Sequence, residues 1–134
     1  MVVALAVSGV VGSDAPVAWA ASITVTTTAD ISADDGSCSL REAITAANDD
    51  AVSGGVPGEC PAGSGSDTIV LPTSANFVLA SALAILDSEI TIDGRGSTID
   101  ADGTGRVLDV GGSGDLTIDN LTLTHLIIDI TGHN

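Results

Sequence analysis

The stretch EITIDGRGSTIDADGTGRVLDV, residues 89–110, decides how the chain folds. Its opening, Glu89-Ile90-Thr91-Ile92-Asp93, alternates polar and apolar residues with a period of two, which puts Ile90 and Ile92 on one face of a strand. The same pattern returns as Asp115-Leu116-Thr117-Ile118-Asp119, at an offset of 115 − 89 = 26. Between the copies lie shorter β-branched runs, Thr98-Ile99 and Val107 to Val110, set apart by Gly and Asp. A period in the twenties with about three short strands in it is the pattern of a β-solenoid. One coil holds too few apolar side chains to bury them alone. Stacking coils at ~4.8 Å packs Ile on Ile and pairs each backbone with the coils on either side.

Working upstream, Thr68 to Leu71 and Phe77 to Leu79 read as strands of an earlier coil. Ile69 and Leu71 precede Ile90 and Ile92 by 90 − 69 = 21 residues in the same alternation. Gly94, Gly96, Gly103, Gly105, Gly111, Gly112 and Gly114 mark the corners, several of them expected at positive φ. The expectation for residues 67–134 is therefore a mainly β fold, the start of a parallel β-helix of about two to three coils.

Residues 22–66 have a different texture. Ile23-Thr24-Val25-Thr26 reads as an N-terminal strand. Ser39-Leu40-Arg41-Glu42 has the spacing of a capping box, with Ser39 as the helix cap and Glu42 reaching back to it. Leu40, Ala43, Ile44 and Ala47 then share one face, which predicts a short amphipathic helix over 40–48. A solenoid's first coil exposes an apolar end and unpaired edge groups, and this helix is the expected lid. A loop dense in Gly, Ser and Pro follows, from Asp49 to Asp67, long enough to need a tether.

The composition narrows the partners. The chain carries 18 acidic and three basic residues for a net charge of −15, and it has no Lys. Such a surface repels phosphate backbones and excludes nucleic acid as a partner. Residues 1–20 contain a short apolar run ending in Ala18-Trp19-Ala20, the small-x-small pattern that precedes signal-peptide cleavage, although no Lys or Arg opens it. The run falls short of the ~20 apolar residues of a membrane span. The expectation is an exported chain with a clipped leader, not a membrane-spanning one.

The run CSLREAI, residues 38–44, has Asp34-Asp35-Gly36 before it and Ala46-Ala47-Asn48 after it. It resembles the CSLREA domain, found at the N-terminus of secreted bacterial proteins built on right-handed parallel β-helix repeats. The resemblance spans about Ile23 to Leu71, and residues 90–106 look like the first coil that follows. It implies an extracellular or cell-surface location and a natural protein longer than this chain. Cys38 and Cys60 are the only cysteines, 22 residues apart. As a nucleophile Cys38 would need a base, and the only histidines are His125 and His133, far along the chain. In an exported chain the expected state is a Cys38–Cys60 disulfide, closing the loop.

Parallel β-helices also include polysaccharide lyases and glycoside hydrolases. A lyase needs an Arg or Lys base, and the three arginines, Arg41, Arg95 and Arg106, fall on the lid helix and in turns. A hydrolase needs paired carboxylates. Asp93, Asp100, Asp102, Asp109 and Asp119 are candidates, but each sits in ordinary Asp-Gly or turn chemistry. No cofactor signature appears. Asp100 to Gly103 and Asp30 to Asp35 offer oxygens for a structural Ca²⁺ without a complete ligand run. No catalytic site is detectable. The expected role is structural or adhesive, presenting a repetitive surface to carbohydrate or another cell-surface component. The alternative is a segment of a β-helix carbohydrate-active enzyme whose active site lies in other coils.

Overall fold

The computed structural model describes residues 20–130, with backbone alone for 103–107 and 126–130. Residues 1–19 of the expected leader, and His133, lie outside the described residues. The chain forms strand β1 (Ala21–Thr24), helix α1 (Leu40–Asp49), and strands β2 (Ser66–Val70), β3 (Asn76–Val78), β4 (Glu89–Val110) and β5 (Asp115–Ile130). The fold is mainly β, and every described strand pairing is parallel.

β4 is the centre of the sheet. Its first segment pairs with β2, its middle with β3, and its whole length with β5. β1 in turn pairs with β2. Alternation then makes continuous inner rows. Ile23, Ile69, Ile92 and Ile118 stand in register on successive strands, the first three fully buried. Phe77, Ile99 and Leu123 make a second row. Burying a side chain of this size contributes roughly 2 kcal/mol, so these rows are the main favourable term of a fold with one described Phe and no Tyr.

The 26-residue offset between the repeated pentads is the register found, Glu89 on Asp115 through Asp93 on Asp119. The upstream spacing is different. Ile69 lies on Ile92, an offset of 92 − 69 = 23 rather than 21, and Asp67 therefore lies on Ile90. The backbone reason is that Ser66–Val70 pairs as one unbroken segment with Glu89–Asp93.

The corners also differ from expectation. Gly96 is left-handed, with φ +80°, but so are Arg95, Asp102, Asn120 and His125, with φ between 48° and 54°. Gly94 serves another purpose. A Cβ there would come within 2.6 Å of the Asn120 carbonyl oxygen, so the bend of β5 can approach only a bare backbone. β5 rounds each bend with fewer residues than β4, and the offset falls along the strand from 26 at Asp115 to 121 − 97 = 24 at Leu121 and 128 − 108 = 20 at Ile128.

α1 runs one residue past the expected 40–48 and ends with Asp50 in the left-handed region at φ 52°, its amide donating to Ala46 O. Its buried face includes the expected Leu40, Ala43, Ile44 and Ala47, and also Glu42 and Ala46. The helix packs on β1 and β2, at the end of the stack away from β5. Among the described residues no helix is long and apolar enough to cross a membrane.

Candidate functional site

The chemistry-bearing residues of the first half meet around the start of α1. Cys38 and Cys60 form a disulfide with Cα atoms 4.7 Å apart, and both are buried. The Ser39 hydroxyl accepts from the Glu42 amide at 3.1 Å, and Glu42 Oε2 accepts from the Ser39 amide at 2.9 Å, closing the capping box. Each side chain does a second job. Ser39 Oγ donates to Ile31 O at 2.6 Å, and Glu42 Oε1 accepts from the Ala33 amide at 2.7 Å. The box thus fixes the turn ahead of the helix as well as the helix itself. That explains a glutamate only 3% exposed, since both of its oxygens have N–H partners.

Other polar side chains act as ties. Arg41 grips Asp30 with Nε and Nη2, each at 2.9 Å, while Nη1 and Nη2 donate to Ala82 O and Ser81 O. Asp30 Oδ2 also accepts from the Ala80 amide. Asn48 bonds Ile85 O and the Asp87 amide. The helix is in this way clipped to the 80–87 connection, which has little regular structure of its own. Glu59 Oε1 accepts from the amides of Asp35 and Gly36, and Asp34 Oδ1 from those of Gly55 and Val56, so the stapled loop is also laced to the turn before α1. Sequence spacing pointed to Ser39, Glu42 and the cysteines. It offered Asp30 to Asp35 only as oxygens for Ca²⁺, not as ties, and it did not point to Asn48 or Glu59, which bond mainly backbone groups of irregular loops.

The five aspartates singled out as carboxylate candidates do not converge. Asp93 stands in register with Asp119 and sits 3.7 Å from Arg95 Nε. Asp109 is in register with Asp129. Asp102 is exposed at its bend. Asp100 Oδ1 accepts from the Asp102 amide and meets His125 Nδ1, both at 2.8 Å. The Asp102 amide, and after it the His125 ring, hold the Asp100 carboxyl below its ordinary value. Among the described residues no three His, Cys, Asp or Glu side chains are grouped to hold a metal ion. In both suggested Ca²⁺ stretches the leading aspartates, Asp100 and Asp30, are engaged by protein donors.

One carboxylate stands apart. Asp67 occupies an inner row, in register with Ala21 on one side and Ile90 on the other. It is 3% exposed. Oδ1 accepts from the amides of Ala21 at 3.1 Å and Ser64 at 2.8 Å, while Oδ2 has no hydrogen-bond partner among the described residues. A Cβ at Gly63 would collide with that oxygen and lie 2.7 Å from Ala47 Cα.

Compared with protein-family models, with curated proteins and with solved structures, the chain matches none of them.

Proposed function

We propose that this chain is the cap and first coils of a secreted or cell-surface bacterial protein, of the kind the CSLREA resemblance implies. In this reading α1 and its stapled loops seal one end of a right-handed parallel β-helix. The coils beyond it present a repetitive polar surface to carbohydrate or to another cell-surface component. The role is structural and adhesive.

The observation that carries the reading is the outward threonine row. Thr68, Thr91 and Thr117 stand in register on β2, β4 and β5, each flanked by two inward-facing positions. The next outward positions are acidic, Glu89 on Asp115 and Asp93 on Asp119. Identical hydroxyls repeated at about the ~4.8 Å strand spacing suit a ligand that is itself a repeating polymer of hydroxyl groups. The cap supports the same role, since its polar side chains are spent on backbone ties rather than left facing a cleft. The disulfide supports a location outside the reducing cytoplasm.

The test is a glycan array probed with the folded chain, beside a variant in which Thr68, Thr91 and Thr117 are all changed to Lys. Binding of a neutral polysaccharide that the triple variant loses supports the reading. Equal binding by both, or recovery of the protein only from the cytoplasm of its host, overturns it.

A further inference from the structure

The buried oxygen of Asp67 and the first residue of β1 belong together. A carboxylate in an inner row, where the next strands carry Ile90 and Leu116, is costly unless charge or hydrogen bonds compensate it. Here two amides serve one oxygen and nothing serves the other. The described arginines near the cap are engaged elsewhere, Arg41 with Asp30 and Arg95 beside Asp93, and the chain has no Lys. One of the two donors is the nitrogen of Ala21, and Ala21 immediately follows Ala18-Trp19-Ala20.

We propose that cleavage after Ala20 creates the missing partner: the new α-ammonium group of Ala21 becomes the buried counter-ion of Asp67. This rests on the export reading given above. A signal peptidase adds water across the Ala20–Ala21 peptide bond. The C–N bond breaks, Ala20 leaves with the carboxylate, and Ala21 keeps the nitrogen, which takes up a proton at neutral pH. Before cleavage that nitrogen has one N–H and no charge. Afterwards it has three N–H groups and a positive charge, at a point already 3.1 Å from Oδ1. A small rotation of the carboxyl group shares the ammonium between both oxygens, and the pair is charge-assisted. The bare Cα of Gly63 leaves room for Oδ2, which a Cβ there would meet. Leader removal would then complete the first strand of the stack, so the fully stabilised cap exists only after export.

The absence of lysine makes the test direct, because the α-amine is the only primary amine in the chain. Three chains ending at Asn134 are released from an N-terminal fusion, starting at Met1, Ala20 and Ala21, and treated with an amine-acylating reagent at neutral pH. The Ala21 chain is expected to label at least about tenfold more slowly folded than in urea, since an opposite charge beside the amine and burial both suppress the reaction. The Met1 and Ala20 chains are expected to label at the unfolded rate. Asp67→Asn in the Ala21 chain is expected to restore fast labelling. Should that variant fail to fold, the Ala20 chain, which keeps every side chain, decides the matter. Fast labelling of the folded Ala21 chain, or equal protection of the Ala20 chain, overturns the proposal. In cells, N-terminal sequencing separates it from the export reading: exported protein starting at Ala21 supports both, exported protein starting elsewhere overturns the ion pair alone, and protein kept inside with its leader intact overturns both.

Discussion

Arg41 and Asp30 face each other as a two-pronged pair, Nε on Oδ1 and Nη2 on Oδ2 at 2.9 Å each, with the Asp30 side chain 8% exposed. The pair joins the first turn of α1 to the segment that leads into it. Its spare donors and acceptors hold Ala80, Ser81 and Ala82, so one guanidinium sets the position of three stretches of chain.

Arg41→Ala therefore strands a mostly buried carboxylate and frees two carbonyls. The expected loss is about 3 kcal/mol, in the range for breaking one side of a buried pair. Thermal unfolding should show it as a drop of roughly 12–20 °C. Arg41→Lys should recover only part of this, because an ammonium cannot span both oxygens and both carbonyls. A drop of a degree or two for the alanine variant would show that the pair is not a tie.

Ile92 sits in the middle of the four-residue inner row, fully buried between Ile69 and Ile118. Ile92→Ala is expected to cost about 3–4 kcal/mol through lost burial and the cavity it leaves. Thr91→Ala, one position away on the outward face, should cost under about 0.5 kcal/mol. Urea unfolding of both variants measures the contrast, and similar losses at the two positions would refute the assigned alternation.

Reduction removes the cross-link of a 22-residue separation. The expected cost is about 3 kcal/mol on the loop-entropy account. The midpoint of urea unfolding should fall when dithiothreitol is present, and a Cys38→Ala/Cys60→Ala chain should show the lower midpoint with or without it. Hydrogen exchange should become faster in residues 50–62 before it changes in β4.

Asp100 gives the acid side of stability a local contributor. Its carboxyl is held below its ordinary value chiefly by the Asp102 amide and next by His125. A group depressed in the folded state binds its proton more readily when unfolded, so its contribution is complete above the unfolded value near 3.8 and fades as pH falls below it. Asp100→Asn should be less stable than the parent at pH 6, and the difference should shrink as pH falls below 3.8. His125→Ala should move the Asp100 midpoint upward in a carbon-detected NMR titration, though less than losing the Asp102 contact would. An unmoved midpoint would show that the ring is a bystander.

The register between β4 and β5 was legible because the two pentads match at every position, in side-chain size as well as in alternation. The earlier register was not. Matching apolar to apolar sets Ile69 against Ile90, yet the chain sets Asp67 there and accepts a carboxylate in an apolar row. Periodicity has no way to anticipate a polar residue that faces inward because the amides of a neighbouring strand and a loop serve it. The capping box and the cysteine pair were legible for the opposite reason: their partners are three residues apart or are the only ones of their kind. Arg41 and Asn48 bind carbonyls and amides some 40 residues away, which leave no mark on the sequence. The corners were misjudged in a similar way. Glycine was read as the source of positive φ; Gly96 does adopt it, but so do Asn120, His125, Asp102 and Arg95, the first three being side chains that enter that region more readily than most.

Those bends also separate two kinds of sequence change. Between Asp100 and Gly105, β4 spends four residues where β5 spends one, His125, and the walls on either side remain paired. Chain length at a bend is thus independent of wall spacing. An insertion beside Asp102 bulges outward as a new protrusion, while the same insertion beside Ile92 would shift every inward residue to the outside. The straight segments act as a ruler and the bends as blank space, so a stack of this kind can acquire loops, and with them new surfaces, without renegotiating its core.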